Sequence, residues 1–279
     1  MGRPWLVSLV IALGALTALG QTAQDLASQG DALFQSLWRK QFTLSDAPAL
    51  KAQLEQAMRL YEQALALEPN HTRALNMMAR CYYTLADLFL PDKEKGDAHA
   101  KGQEYAERSL RTNPEFVRVE KEKGFVEAVK TSSDITALFY TYANWARKVE
   151  LGGAVGILAA ALRGDDRKLM ALMERCLEVD RTYIKGAPLR ALAGYWSKHP
   201  FARDLEKARG YVEEALATWP DYLENRLFLV QYYLMPLERR AEARAELQKI
   251  FDAPLGEDEL YNGFIKVLAL DVYGAISDK

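Results

Sequence analysis

Residues 57–69 read Ala57-Met58-Arg59-Leu60-Tyr61-Glu62-Gln63-Ala64-Leu65-Ala66-Leu67-Glu68-Pro69. Ala57 and Ala64 stand seven residues apart, two turns of a helix, so both lie on one face. Small side chains on that face let a second helix approach closely. Pro69 cannot donate to the preceding turn and ends the helix. The same spacing, seven and then five, returns at Gly102, Ser109 and Pro114 and again at Ala208, Ala215 and Pro220. Three copies of one spacing favour a repeated helical hairpin over an unrelated bundle with chance alanines, each copy being the second helix of its hairpin.

The segments between the copies carry the first helices. Asn70-His71, Glu115-Phe116 and Asp221-Tyr222 follow the three prolines as polar-then-bulky pairs that open the next helix, and Leu75, Met78, Ala79 and Tyr82 supply an apolar face at helical spacing. Ala57-Tyr61-Ala64-Pro69 resembles all four slots of the tetratricopeptide second helix, and Ala208-Val212-Ala215-Pro220 comes close. A degenerate copy reads Leu169, Met173 and Cys176, with Arg181 in the proline slot, and a last one runs from Ala241 to Pro254. The expected fold is therefore all-α, a tetratricopeptide-repeat-like solenoid of helical hairpins with degenerate repeats. Its hairpins fall at about 24–69, 72–114, 117–181, 184–220 and 223–254, with a C-terminal helix over 257–275, in a single domain spanning 21–279. The stretches 41–49, with Pro48, and 91–102, with Lys93, Lys95 and Gly96, are expected to lengthen the turns inside the first two hairpins. Period-two alternation is not sustained anywhere, so a βαβ nucleotide fold has no support.

Composition agrees with a folded, water-facing protein: of 279 residues, 49% are hydrophobic and 27% charged. The net charge of −2 becomes −3 without residues 1–20, which carry only Arg3, so no basic surface calls for nucleic acid or anionic lipid. Arg3, the apolar run from Trp5 to Leu19 and the small residues Ala18 and Gly20 form a signal-peptide pattern with cleavage before Gln21. The run falls short of the roughly 20 residues a spanning helix needs, which leaves an uncleaved membrane anchor as the weaker reading. The expected compartment is the periplasm. Cys81 and Cys176 are expected to be buried free thiols rather than a disulfide, and two cysteines cannot make a four-ligand zinc site.

Groups for catalysis are scarce. His71, His99 and His199 are far apart in sequence and none has metal-ligand spacing, so surface or turn roles are expected for all three. Gly152, Gly153 and Gly156 follow no strand and form an incomplete phosphate fingerprint, which makes them a break between helices. Asn70-His71-Thr72 matches a glycosylation acceptor but falls on a turn where Asn is favoured anyway. Asp165-Asp166, Glu213-Glu214 and Asp258-Glu259 lie beside Lys or Arg on polar helix faces, as solvated surface does. These observations predict no catalytic centre, no metal site and no cofactor. One segment stands apart. Leu138 to Lys148 crowds four aromatics, Asn144 and two cations into three helical turns, with Phe139, Tyr142 and Ala146 on one face and Tyr140, Asn144 and Arg147 or Lys148 on another. Asn is a poor mid-helix residue, so its amide is expected either to pair with neighbouring helices or to help line a ligand pocket.

The signal segment, the degenerate repeats, Tyr142-Ala143-Asn144-Trp145, Asp180-Arg181-Thr182-Tyr183 leading into Gly186-Ala187-Pro188, and Pro220-Asp221-Tyr222 together resemble the TRAP-transporter-associated TPR family, the T component or TatT, over nearly the whole mature chain. The resemblance implies a periplasmic helical protein that associates with the solute-binding protein of a TRAP transporter. It also implies a homotrimer and a cavity suited to an apolar small molecule. Carried over by motif, it nominates Tyr142, Asn144, Trp145 and Lys148 as binding residues, with Asn144 and Lys148 orienting a polar or anionic end. Members of the family are often lipoproteins, and Gln21 stands where a lipidated Cys would be. A general scaffold for envelope assembly or secretion shares every repeat feature and is the rival reading. An enzyme with unrecognised residues is the other.

Overall fold

A computed structural model of the chain describes residues 21–277. Residues 1–20, where a signal segment is expected, lie outside the described residues. Helices fill the rest, and among the described residues there is no strand. Three hairpins of consecutive helices can be followed along the described residues. The first is α1 (Ala23–Trp38) with α2 (Ala47–Leu67), the second α3 (Thr72–Phe89) with α4 (Asp92–Leu110). The short α5 (Pro114–Lys123) and α6 (Phe125–Val129) then lead to α7 (Ile135–Leu151), the small apolar α8 (Gly153–Leu162) and α9 (Asp165–Asp180). The hairpin of α10 (Tyr183–Lys198) and α11 (Leu205–Thr218) follows, then α12 (Leu223–Leu229), which runs through a π turn and a 3-10 turn before α13 (Arg240–Asp252) and α14 (Glu259–Ser277).

Local chemistry sets the ends. Thr22 and Asp25 form a reciprocal capping box on α1, and Asn113, Asp134 and Asp204 each accept a backbone N–H at the start of α5, α7 and α11. Helices α2, α4 and α11 stop at Leu67, Leu110 and Thr218, just ahead of Pro69, Pro114 and Pro220. The second expected long turn does not exist. Asp92 to Leu110 is continuous helix and only Leu90 and Pro91 separate it from α3; Lys93 is exposed and Lys95 and Gly96 are half-buried, and none of the three interrupts the helix. The first is real and covers residues 39–46. Gly153, at φ +60°, makes the break between α7 and α8.

All six small residues of the repeated spacing are buried. Their partners explain them. A Cβ on Gly102 would lie 2.4 Å from Asn144 Oδ1, and Ala215 faces Gly186, where an added Cβ would meet its own at 3.1 Å. Gly30 similarly lies under the Tyr61 ring. Replacing Ala215 with Leu should therefore destabilise the α10–α11 hairpin by about 1–3 kcal/mol. Thermal melts read this directly, and an unchanged melt contradicts the close contact.

The hairpins do not form an open array. Inner helices α1, α3, α7, α10, α12 and α14 each touch the next, and α14 packs back on α1. One hydrophobic core consequently joins residues from the two ends of the chain, Leu26, Leu54 and Leu75 with Leu227, Leu247 and Leu260. At the seam Trp38 stacks on Tyr261 at 5.8 Å and Phe42 meets Phe264 edge-on at 5.5 Å. Gly263 makes the closure fit, since a Cβ there would sit 3.2 Å from the backbone of Phe42. Closure of the solenoid leaves a central space.

Candidate functional site: a central chamber

The central chamber leaves about 90 Å³ for the centre of a water-sized sphere, and its lining comes from the inner helices. Much of the wall is aromatic. Trp38 stacks on Phe34 at 5.4 Å, Tyr261 stacks on Tyr222 at 5.7 Å, and Tyr83 meets Tyr140 edge-on at 5.8 Å. Phe139, Phe228 and Tyr232 complete the aromatic surface.

Three arginines reach this wall, Arg80, Arg147 and Arg190. Arg190 is 3% exposed and fully engaged. Its Nε pairs with Glu224 at 2.7 Å, Nη1 donates to Asn225 Oδ1 and the Lys185 carbonyl at 2.7 Å each, and Nη2 donates to the Ile184 carbonyl at 3.0 Å. Glu224 accepts a further bond from the Tyr261 hydroxyl at 2.7 Å. The bonds to carbonyls account for an unusual backbone: Ile184 and Lys185 have φ of 43° and 50°, and Gly186 follows at 88°. Left-handed conformations cost L residues about 1–2 kcal/mol each, and here the two strained carbonyls are turned onto a buried guanidinium that needs acceptors.

Arg147 lies 3.5 Å from Asp87 and 3.1 Å from Glu150, and Glu150 also receives Lys198 at 3.1 Å. His99 Nε2 stands 3.5 Å from Asp87. A second depression, lined by Asp87, His99 and Leu268, shares Arg147, Glu150, Glu224, Phe228 and Tyr261 with the chamber, so the aromatic interior opens onto a charged vestibule. Burial acts to raise the carboxyls of Asp87 and Glu150, but Arg147, helped by His99 at Asp87 and by Lys198 at Glu150, outweighs it and holds both below the usual carboxylate range. Acids depressed by folding stabilise the protein fully above their unfolded values, near pH 4, and that contribution is lost as pH falls through the lower folded values. The melting temperature should accordingly fall once pH drops below about 4. A melting temperature that stays level on acidification to about pH 3 contradicts the ion-pair account.

Of the nominated residues, Tyr142 lines the chamber, and its hydroxyl donates to the Ala191 carbonyl at 3.0 Å. The other three do not, because helix α7 turns its Phe139, Tyr140, Tyr142, Ala143, Ala146 and Arg147 face inward and carries them elsewhere. Asn144 is completely buried against α3 and α4: its amide nitrogen donates to the Ala79 carbonyl at 3.2 Å and the Tyr140 carbonyl at 2.9 Å, and its oxygen is 3.1 Å from His99 Nδ1. Trp145 meets Phe125 edge-on at 6.3 Å, and Lys148 donates to Gln103 Oε1 at 2.9 Å. Trp145 and Lys148 line a separate depression with Gln103. His71 caps α3, and His199 accepts the N–H groups of Phe201 and Ala202, both turn roles. His99 departs from the surface expectation, since it is 1% exposed and tied to Asp87 and Asn144. Asp165 departs likewise: it is buried and bound by Arg163 at 2.8 Å. The two cysteines are buried and free, and burial pushes both thiols up. Sequence reading missed Arg80, Arg190 and Glu224. The available signal was a charge set inside an otherwise apolar helical stripe, as Arg80 is between Ala79 and Cys81.

Residues 45–267 match the sequence profile of the family TAtT, described as TRAP transporter T-component, a span from the start of α2 to the middle of α14. The chain belongs to that family. As a T-component it is a protein associated with a TRAP transporter. No curated protein matches it. Among the described residues of this T-component no helix is long and apolar enough to cross a membrane, and no group of three His, Cys, Asp or Glu could hold a metal ion.

Proposed function

We propose that this T-component is a periplasmic binding protein without catalytic activity, which associates with the solute-binding component of its TRAP transporter and takes an apolar or amphipathic small molecule in the central chamber. The observation that carries the reading is the closure of the inner helices around an aromatic-walled space. A scaffold that only displays helical faces needs no such interior, whereas binding sites combine apolar walls with a few fixed polar groups. Export by the N-terminal segment and assembly as a homotrimer belong to the same reading. Exposed apolar surface for assembly is present on and beside α8, where Val155 is 79%, Leu162 75% and Phe201 68% exposed.

Titration calorimetry of residues 21–279 against the purified solute-binding component of the same transporter tests the partnership. A saturable complex is expected. The absence of any association, with both proteins folded, would remove the partnership and favour the scaffold.

A further inference from the structure

We infer that the chamber continues into a second apolar compartment beneath α8, and that the occupant is an unbranched chain running through both spaces rather than a compact body held in the chamber alone. The inference rests on the chamber's being a binding site and adds the shape of its ligand.

The compartment lies between α7, α8, α9 and α10 and is nearly as roomy as the chamber, about 80 Å³ against 90 Å³ for the centre of a water-sized sphere. Tyr142, Ala146, Glu150 and Gly194 line both spaces, so the two adjoin. Val149, Ile157, Ala160, Ala161 and Leu169 give the second one an apolar lining. Its charged groups are already met. Lys198 pairs with Glu150 at 3.1 Å. His199 Nδ1 accepts two backbone N–H groups, so the proton of the neutral ring is on Nε2, which stands 3.8 Å from Asp166. Nothing there calls for a charged ligand group, and a hydrocarbon chain suits the space.

Two features of the walls point the same way. Gly194 sits inside α10, where glycine is less favourable than alanine. Its φ is not positive, and an added Cβ would meet the Tyr232 ring at 3.4 Å, an ordinary contact. Neither backbone nor helix packing demands glycine at this position, whereas a side chain would take up room where the two spaces meet. Helix α8 supplies the second feature. It is built of Gly, Ala, Val, Ile and Leu alone, yet only Ala160 of its ten residues is buried. Val155, Leu158 and Leu162 face outward. Ile157, Ala160 and Ala161, three and four residues apart, form the opposite face against the compartment, and Ile157 and Ala161 remain half-buried there. That inward face is apolar surface that a chain beneath α8 would cover.

1-Hexanol, 1-octanol and 1-decanol differ only in chain length, so calorimetry with the three reads how much chain the protein buries. Each buried methylene tightens binding about fourfold, and 1-decanol should accordingly bind on the order of 100-fold more tightly than 1-hexanol, with 1-octanol between them. Ala161→Phe fills the compartment from α8 at a position outside the chamber lining, and should cut the advantage of 1-decanol over 1-hexanol to about tenfold or less. Ile157→Trp fills the same space from the same helix and should lower the same ratio. A melt of each variant accompanies the titrations, and Ile157→Trp alone decides the matter if Ala161→Phe does not fold. Equal affinity for 1-decanol and 1-hexanol in the parent, or a 1-decanol advantage that the folded variants keep in full, overturns this inference and leaves the chamber reading standing. Binding of none of the three alcohols overturns both.

Discussion

Glu224→Leu is expected to destabilise the protein by about 3–5 kcal/mol, because it leaves a buried guanidinium without its counter-charge. The two side chains are 4% and 6% exposed, so water cannot replace the lost carboxylate. The change also leaves the Tyr261 hydroxyl, which donates to Glu224 at 2.7 Å, without its acceptor. In a chain of this length the loss corresponds to a fall in melting temperature of roughly 10 °C. Glu224→Gln keeps an acceptor for Tyr261 and Arg190 but removes the charge, and should cost less. The contact matters beyond stability, since Arg190 also holds the left-handed carbonyls of Ile184 and Lys185 at the chamber wall. A melting temperature for Glu224→Leu within about 2 °C of the parent contradicts the account.

The second large effect is expected at Asn144→Leu, about 2–4 kcal/mol, from a buried polar group stripped of its partner together with overpacking. Leucine cannot accept from His99 Nδ1, which lies 3.1 Å from the Asn144 oxygen. It also cannot donate to the Ala79 carbonyl, a bond from α7 to α3. Its branched end must fit where Gly102 already leaves no room for a Cβ beside the amide. Gly102→Ala should destabilise for the same reason. Ligand capture per folded molecule should be unchanged by Asn144→Leu, since the amide faces away from the chamber. A variant that melts like the parent but no longer captures ligand would restore the amide to a binding role and contradict its placement between helices.

The repeats were the most legible part of the sequence, because close helix contacts demand small residues and a helix end before proline needs no distant partner. Gly102, Ser109, Ala208 and Ala215 could be assigned from spacing alone. Closure could not, because it depends on α14 meeting α1 across almost the whole chain, recorded by Gly263 and the aromatics Trp38, Phe42, Tyr261 and Phe264. The chamber suffered from the same problem. Periodicity placed Phe139, Tyr142 and Ala146 on one face of α7, which does line the chamber, but it could not say that Asn144 would be taken up by Gly102 and His99. The odd residue in the pattern left a helix tie and a ligand contact both open; its hydrogen bonds are those of a helix tie, and Asn225 makes the same use of its amide at the Ala215 and Trp219 carbonyls. Charged residues inside apolar stripes were the better pointers. Arg80, Arg190 and Glu224 each break such a stripe, and all three reach the chamber.

The central claim is that the closed ring of helices encloses a space that receives an apolar body. A crystal structure of the protein soaked with iodobenzene tests it most directly, because the anomalous signal of iodine locates the probe without reference to any partner or transport activity. The account predicts iodine inside the ring, against Tyr83, Tyr140, Phe228 and Tyr261. Ordered water filling that space, with iodine absent from it, would contradict the claim.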